Sequence, residues 1–230
     1  MGNDTKYFNF PITLLNGFMM ETTESLNKIL YYSLYAHAQK LELGDETDRV
    51  RAAEHYYGVS LGNFDRALRI GKELYNSIDI KAPKVGINKD IYFDFYKNDK
   101  SEFEKACLLA HLAIKSIVQN KAYCKITNLF LLSRMDGNSH SVAEKYELSD
   151  DIIKYANEYQ LKKIKYELVD NWNLKTYARY TRGFYVSFSL EYKELVYQAE
   201  KRRKSTKIKQ LKKKQDEALK AALHRLDNDH

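Results

Sequence analysis

The chain is poor in the residues that break or cross-link a fold. Two prolines and nine glycines in 230 residues are too few for a protein built of tight turns, so helices are expected. Cys107 and Cys124 are the only cysteines. A disulfide scaffold or a thiolate zinc site needs more of them at short spacing, and neither a metal nor a cofactor is expected. The first ten residues lack the basic-then-apolar order of an export signal. The two thiols therefore read as free, in a reducing cytoplasm. No apolar run approaches the roughly 18 residues that span a bilayer, which argues against a membrane partner.

What the chain has is apolar and charged residues in helical rhythm. Hydrophobic residues make up 44% and charged residues 30%, enough for a packed core and a soluble surface. The length holds one large domain or two small ones. Residues 7–12 alternate, and Pro11 limits them to an edge strand or an extended arm. Leu26, Ile29, Leu30, Ser33, His37 and Leu41 recur at helical spacing. They predict a helix from Thr22 or Thr23 that Gly44 and Asp45 end. Further helices are expected over 47–57 and 63–78, the latter with Phe64, Ala67, Leu68, Gly71, Leu74 and Ile78 on one face. Residues 1–80 thus read as a helical N-terminal domain. Pro83 and Gly86 mark 81–100 as a connector with a possible short strand at 91–96.

Residues 101–190 read as a second domain. Ser101 and Glu104 form a capping box for a helix through Gln119, and 106–114 is apolar nearly all round, as a central helix would be. A short strand is expected at 123–126. A helix capped by Thr127 or Asn128 follows, stopped by Asp136 and Gly137. After a loop, Ser149 caps a helical stretch over 150–157. The next helix, 161–172, buries Leu161, Ile164, Leu168 and Trp172. Lys162, Lys163, Lys165, Tyr166 and Val169 take its other side. Two strands, 174–180 and 184–190, then form a hairpin with Gly183 at its tip. In the second strand Phe184, Val186, Phe188 and Leu190 alternate with Tyr185, Ser187 and Ser189, the period of a half-buried strand. Residues 191–226 read as one long helix, with a candidate break at Ser205 and Thr206.

The charge is unevenly placed. Nine of the 38 basic residues lie in 201–214 with no acid among them, leaving 29 basic against 31 acidic elsewhere. A near-neutral body with one strongly basic end suits a polyanion, nucleic acid before an acidic membrane. Nineteen tyrosines could stack on bases, but their spread along the whole chain favours AT-rich coding as their source.

The order helix, strand, helix, helix, strand, strand over 101–190 resembles the winged-helix superfamily of DNA-binding modules. Composition and periodicity give a mainly α protein with a helical N-terminal domain and a long basic C-terminal helix, and the resemblance adds a C-terminal winged-helix-like module with a β-hairpin. It makes 160–172 the recognition helix and 175–188 the wing. Lys162, Lys163 and Lys165 would meet phosphate, with Tyr166 beside them. Arg179 and Arg182 would discriminate, since arginine forks onto guanine or enters a narrow minor groove. Lys201, Arg202, Arg203, Lys204, Lys207 and Lys209 would add backbone contacts. The spacing departs from a compact helix-turn-helix: about fifteen residues or more separate the helix ending at Met135 from the basic helix, unless 150–157 is itself the second helix.

The function expected is non-enzymatic binding of nucleic acid, duplex DNA first, as in transcriptional control or replication initiation on a mobile element. Three lysines on a helix also suit a plain solvated face. Ile208, Leu211, Ala218, Leu219, Ala222 and Leu226 would let the tail pack on a partner helix or on its own body. The N-terminal domain is a second candidate for self-association or a protein partner. The competing class is a ribonuclease or toxin-like protein, or a defence accessory protein, using the N-terminal helices. Arg49 and His55, and again Arg134 and His140, have the Arg-x5-His spacing of some helical ribonucleases, which chance also produces. A winged helix used for protein contact alone is a third class. Gly62, Gly71 and Lys72 are too far apart for a phosphate loop, and Glu73 stands where Ser or Thr is needed. His37 and His111 lie on apolar faces, as core residues would. No catalytic residue is assigned.

Overall fold

The computed structural model describes residues 5–42, 44–179 and 183–228. The fold is mainly α, with two small sheets and a long C-terminal helix. Strand β1 (Tyr7–Pro11) pairs antiparallel with β2 (Lys84–Asn88), Phe8 opposite Ile87 and Phe10 opposite Val85. Between them lie α1 (Thr22–Ala38), α2 (Glu46–Tyr57) and α3 (Phe64–Ser77). Helix α1 stops at Ala38, short of Gly44. Its last turn tightens as the amides of Lys40 and Leu41 bond the carbonyls of His37 and Ala38, the usual tightening of a helix end. An Asp45–Asp48 capping box starts α2, and Gly58, at φ 59°, ends it. Helices α1 and α3 touch at Gly71, where an added Cβ would lie 2.6 Å from the Tyr31 carbonyl oxygen.

Residues 81–100 are more than a connector. They hold β2 and the helix α4 (Lys89–Lys97), which takes the place of the strand expected at 91–96. The Asn88 side chain accepts from the Asp90 amide at 2.7 Å and caps α4. Tyr92 and Phe95, three apart, both turn inward. The capped end and the i, i+3 pair outweigh the alternation of Ile91, Phe93 and Phe95. One continuous apolar cluster runs from Phe8 through Ile87 and Leu109 to Val186, across the whole of 81–100.

The second half is built around α5 (Glu102–Val118). Ser101 and Glu104 form the expected box, the Glu104 amide 3.2 Å from Ser101 Oγ and the Ser101 amide 2.9 Å from Glu104 Oε2. Every residue from Ala106 to Ile114 is buried. Then follow β3 (Cys124–Ile126), α6 (Asn128–Met135), the single turn α7 (Asp150–Ile153), α8 (Glu158–Asn171), β4 (Lys175–Tyr177) and β5 (Phe184–Ser187). The helix expected over 150–157 closes after one turn, because Asn157 caps α8 by accepting from the Gln160 amide at 2.9 Å. The sheet is antiparallel in the order β3-β5-β4.

The last helix, α9, runs from Tyr192 to Asn228, about 55 Å at 1.5 Å per residue. It is continuous through Ser205 and Thr206, where the Thr206 hydroxyl donates to the Arg202 carbonyl at 2.9 Å. Back-bonding of this kind satisfies a hydroxyl inside a helix, so the candidate break does not occur. The first two turns of α9 pack Leu195 and Ala199 on Tyr185. As a result β5 is buried on both faces, Tyr185 and Ser187 included, and not half-buried as its alternation suggests. From 204 to 220 every side chain of α9 is exposed.

Leu195 therefore holds α9 to the body, and Ile208, 66% exposed, lies outside the apolar clusters of the described residues. Leu195→Ala is expected to lower unfolding stability by about 2–4 kcal/mol. Ile208→Ala is expected to change it by no more than about 0.5 kcal/mol. Denaturant titration of both variants checks the pair.

Candidate nucleic-acid interface

Helix α8 presents two chemistries. Leu161, Ile164 and Leu168 are buried. Tyr159, Lys162, Lys163, Tyr166 and Val169 are exposed, Tyr159 and Tyr166 by 72% and 59%. The Lys162 ammonium lies 5.6 Å from the Tyr166 ring centroid, and that of Lys163 lies 4.4 Å from the Phe103 ring. These rings direct the lysine stems without removing the charges from solvent.

Lys165 differs from its neighbours. It is half-buried, its ammonium 3.7 Å from the Phe184 ring and donating to Asn128 Oδ1 at 2.9 Å. Its expected place on the exposed face with Lys162 is therefore corrected. Its position brings it over β5 and the start of α6, and the long stem fills the gap between them. Burial pushes its pKa down to about 8. Beside it lies a cleft of about 400 Å³, lined in part by Asn128, Lys145, Glu158 and Lys162. Lys145 is itself tied down, donating to the Ala156 carbonyl at 2.9 Å. Helical periodicity did not single out Tyr159, Asn128 or Lys145.

Strand β4 touches both α8, whose three lysines are matched by Glu158, Glu167 and Asp170, and the basic α9, so the hairpin sits between the two helices. Arg179 is exposed just after β4, next to the pair formed by the Tyr177 hydroxyl and Glu200 Oε1 at 2.7 Å. The hydrogen bond from Tyr177, followed by the charges of Arg203, Arg179 and Lys204, holds the Glu200 carboxyl below its usual range. Arg179 thus serves the junction with α9 as well as facing solvent. Arg182 and the rest of 180–182 lie outside the described residues. In the tail Lys201, Arg202, Lys204, Lys207 and Lys209 are exposed. Arg203 is half-buried, its Nη2 3.2 Å from Glu200 Oε2.

The two Arg-x5-His spacings part ways. On α2, His55 is exposed, while Arg49 is half-buried near Tyr35 and Glu46. Six residues of helix rotation put them on different sides. Arg134 and His140 line one cleft. His111 lies against Trp172 and Phe188, with centroids 4.6 and 5.3 Å away, and burial pushes its pKa down to about 3. His37 is half-buried and stacks on Tyr56. Cys107 and Cys124 are buried free thiols, their pKa values raised by burial to about 12 and about 11. Among the described residues no helix is long and apolar enough to cross a membrane. Comparisons with family models, curated proteins and solved structures find no match to the chain.

The inward turn of Lys165 has a measurable sign. Its ordinary value is 10.5 and its folded value about 8, so between those limits the unfolded chain binds more protons. Its contribution to stability therefore rises with pH across about 8 to 10.5. Lys165→Met is expected to remove that rise and to gain on the order of 1–3 kcal/mol at pH 7. The wild-type minus variant difference, followed by denaturant unfolding from pH 7 to 10.5, reads it.

Proposed function

We propose that the chain binds nucleic acid without chemical turnover, duplex DNA in preference, through a winged-helix-like unit over 101–190 and the basic helix behind it. Several observations support this reading. The order α5-β3-α6-α7-α8-β4-β5, with the sheet order β3-β5-β4, is a helical unit closed by a hairpin, the arrangement that presents one helix to a groove. The observation that carries the proposal is the exposed face of α8. Lys162, Lys163 and Tyr166 stand uncovered beside a hairpin. The same hairpin joins a helix with nine basic residues in 201–214, none of them next to an acid in that segment.

In this reading Lys162 and Lys163 supply phosphate contacts, and the tail supplies a larger, sequence-independent share. Lys165 holds α8 against β5 and α6. A regulator of transcription or a replication initiator of a mobile element would use such a module, the N-terminal helices serving as its protein-contact part.

Binding to duplex DNA, single strands and structured RNA across a salt series tests the proposal. Duplex binding with a steep salt slope is expected, and the slope should shrink markedly in a chain ending at residue 200. Lys162→Ala and Lys163→Ala should each lower the slope by about one, while Lys165→Met should leave it unchanged. Absence of duplex binding at low salt would overturn the reading.

A second reading rests on a separate observation. Ile208, Leu211 and Leu219 are exposed on α9 by 66%, 51% and 61%, three and eight residues apart, which brings them to one helix face at 3.6 residues per turn. Packing on a partner helix would cover them. Sedimentation analysis would then show an assembly that Leu211→Glu dissociates, and a monomer at all concentrations would count against it. Both readings can hold at once, with lysines on phosphate and the apolar steps on protein.

A further inference from the structure

Arg134 is a buried cation without a counter-charge. It lies in the last turn of α6 and is only 7% exposed. Its Nε and Nη1 are sealed from solvent with no hydrogen-bond acceptor among the described residues. No carboxylate pairs with it there. The adjacent Asp136 carboxylate is committed elsewhere, accepting from the Ser149 amide at 2.9 Å and the Ser149 hydroxyl at 2.6 Å. The Phe130 ring, 5.1 Å from Arg134 Cζ, is its nearest recorded partner. Burial alone lowers its pKa, but a guanidinium stays charged in a protein. A buried, unpaired charge of this kind is costly unless an anion completes it.

The surroundings supply the rest of an anion site. Arg134 lines a cleft of about 520 Å³, together with Lys81, Phe130, Ser139, His140 and Ser141. Lys81 adds a second cation. The Ser139 hydroxyl is able to donate to an oxyanion, and the Ser141 hydroxyl, which donates to the Val142 carbonyl at 3.1 Å, would have to exchange that partner. Among the described residues Asp79 is the one acid on the wall; its Oδ1 accepts from the Lys81 amide at 2.9 Å, and its charge offsets part of the positive charge of Arg134 and Lys81. A cleft of this size exceeds what inorganic phosphate needs and falls in the range of small-molecule sites. Its principal cation is almost wholly buried, whereas the phosphates of a duplex lie on a convex surface.

We infer that this cleft binds the phosphoryl group of a small phosphate ester, drawn by the buried charge of the Arg134 guanidinium on its wall and by the Lys81 ammonium as the second positive charge. The rest of the cleft, with the Phe130 ring on its wall, accommodates the organic part. The site is independent of the α8 face. It joins segments from both halves of the chain, since Asp79 to Pro83 lead from α3 into β2 and the other wall is α6 and the loop behind it. The phosphate can belong to a free nucleotide-sized ester or to the phosphorylated end of a single strand, two sources of one chemistry.

The test is thermal unfolding of the full chain with inorganic phosphate, a nucleoside 5′-monophosphate, and a tetranucleotide with and without a 5′-phosphate. Chloride matched for ionic strength is the control. A concentration-dependent rise of a few degrees in Tm is expected with the phosphorylated ligands and not with chloride. The monophosphate arm and the tetranucleotide pair tell the two sources apart. Arg134→Met should fold at least as well as the wild type and weaken binding by about tenfold or more. Lys81→Ala changes an exposed residue, and should weaken binding by a smaller factor with the unliganded Tm unchanged. No rise with any phosphorylated ligand would overturn the inference. So would a rise that is the same in Arg134→Met and Lys81→Ala as in the wild type.

Discussion

A helix without a polar face has to be enclosed, and that requirement organises this molecule. From Ala106 to Ile114 every side chain of α5 is buried. Leaving such a helix exposed would forfeit about 25 cal/mol for each Å² of apolar surface. Strand β2 and the turn after β1 cover it on one side, α6 and α8 on another, and β5 closes the remaining contact. The two halves are thus walls of one core. The segment 81–100 contributes to that core through Val85, Ile87, Tyr92 and Phe95.

The candidate interface follows from the same enclosure. Once Leu161, Ile164 and Leu168 are committed to α5 and its neighbours, the opposite face of α8 is left to solvent, with Lys162, Lys163 and Tyr166 on it. The hairpin β4–β5 is then fixed from both sides. Its inner face joins the main core, and its outer face receives Leu195 and Ala199 of α9. The lysine-rich part of α9 begins where that packing ends. Its exposure is a consequence of where the apolar residues run out, since a helix with like charges on most faces has no core to join.

Much of this was legible in the sequence for local reasons. Caps are local, so Ser101 with Glu104, and Thr127, set helix starts within a few residues. The stripe of α8 is a three- and four-residue repeat that needs no tertiary information. Other features depend on what lies opposite. The side-chain pattern of 91–96 fits strand and helix alike, and the Asn88 cap and the neighbouring core select the helix. The alternation of 184–190 signals one buried face, but α9 covers the second. Lys165 shares a helix side with Lys162 by spacing, and only Phe184 and Asn128 draw it inward. The cleft at Arg134 is likewise an assembly of segments 79–83, 130–134 and 139–141, and spacing along the chain does not reveal it.

The sequence by itself determined a mainly helical chain with a β-hairpin near its end, an apolar central helix, and a positive charge concentrated in 201–214. Those properties follow from composition, caps and periodicity, which act over a few residues. Only the tertiary structure decided that the halves share one core, that α9 seals the hairpin, and which lysines and arginines face solvent. A side chain's environment is set by whatever packs against it, and those neighbours come from distant parts of the chain.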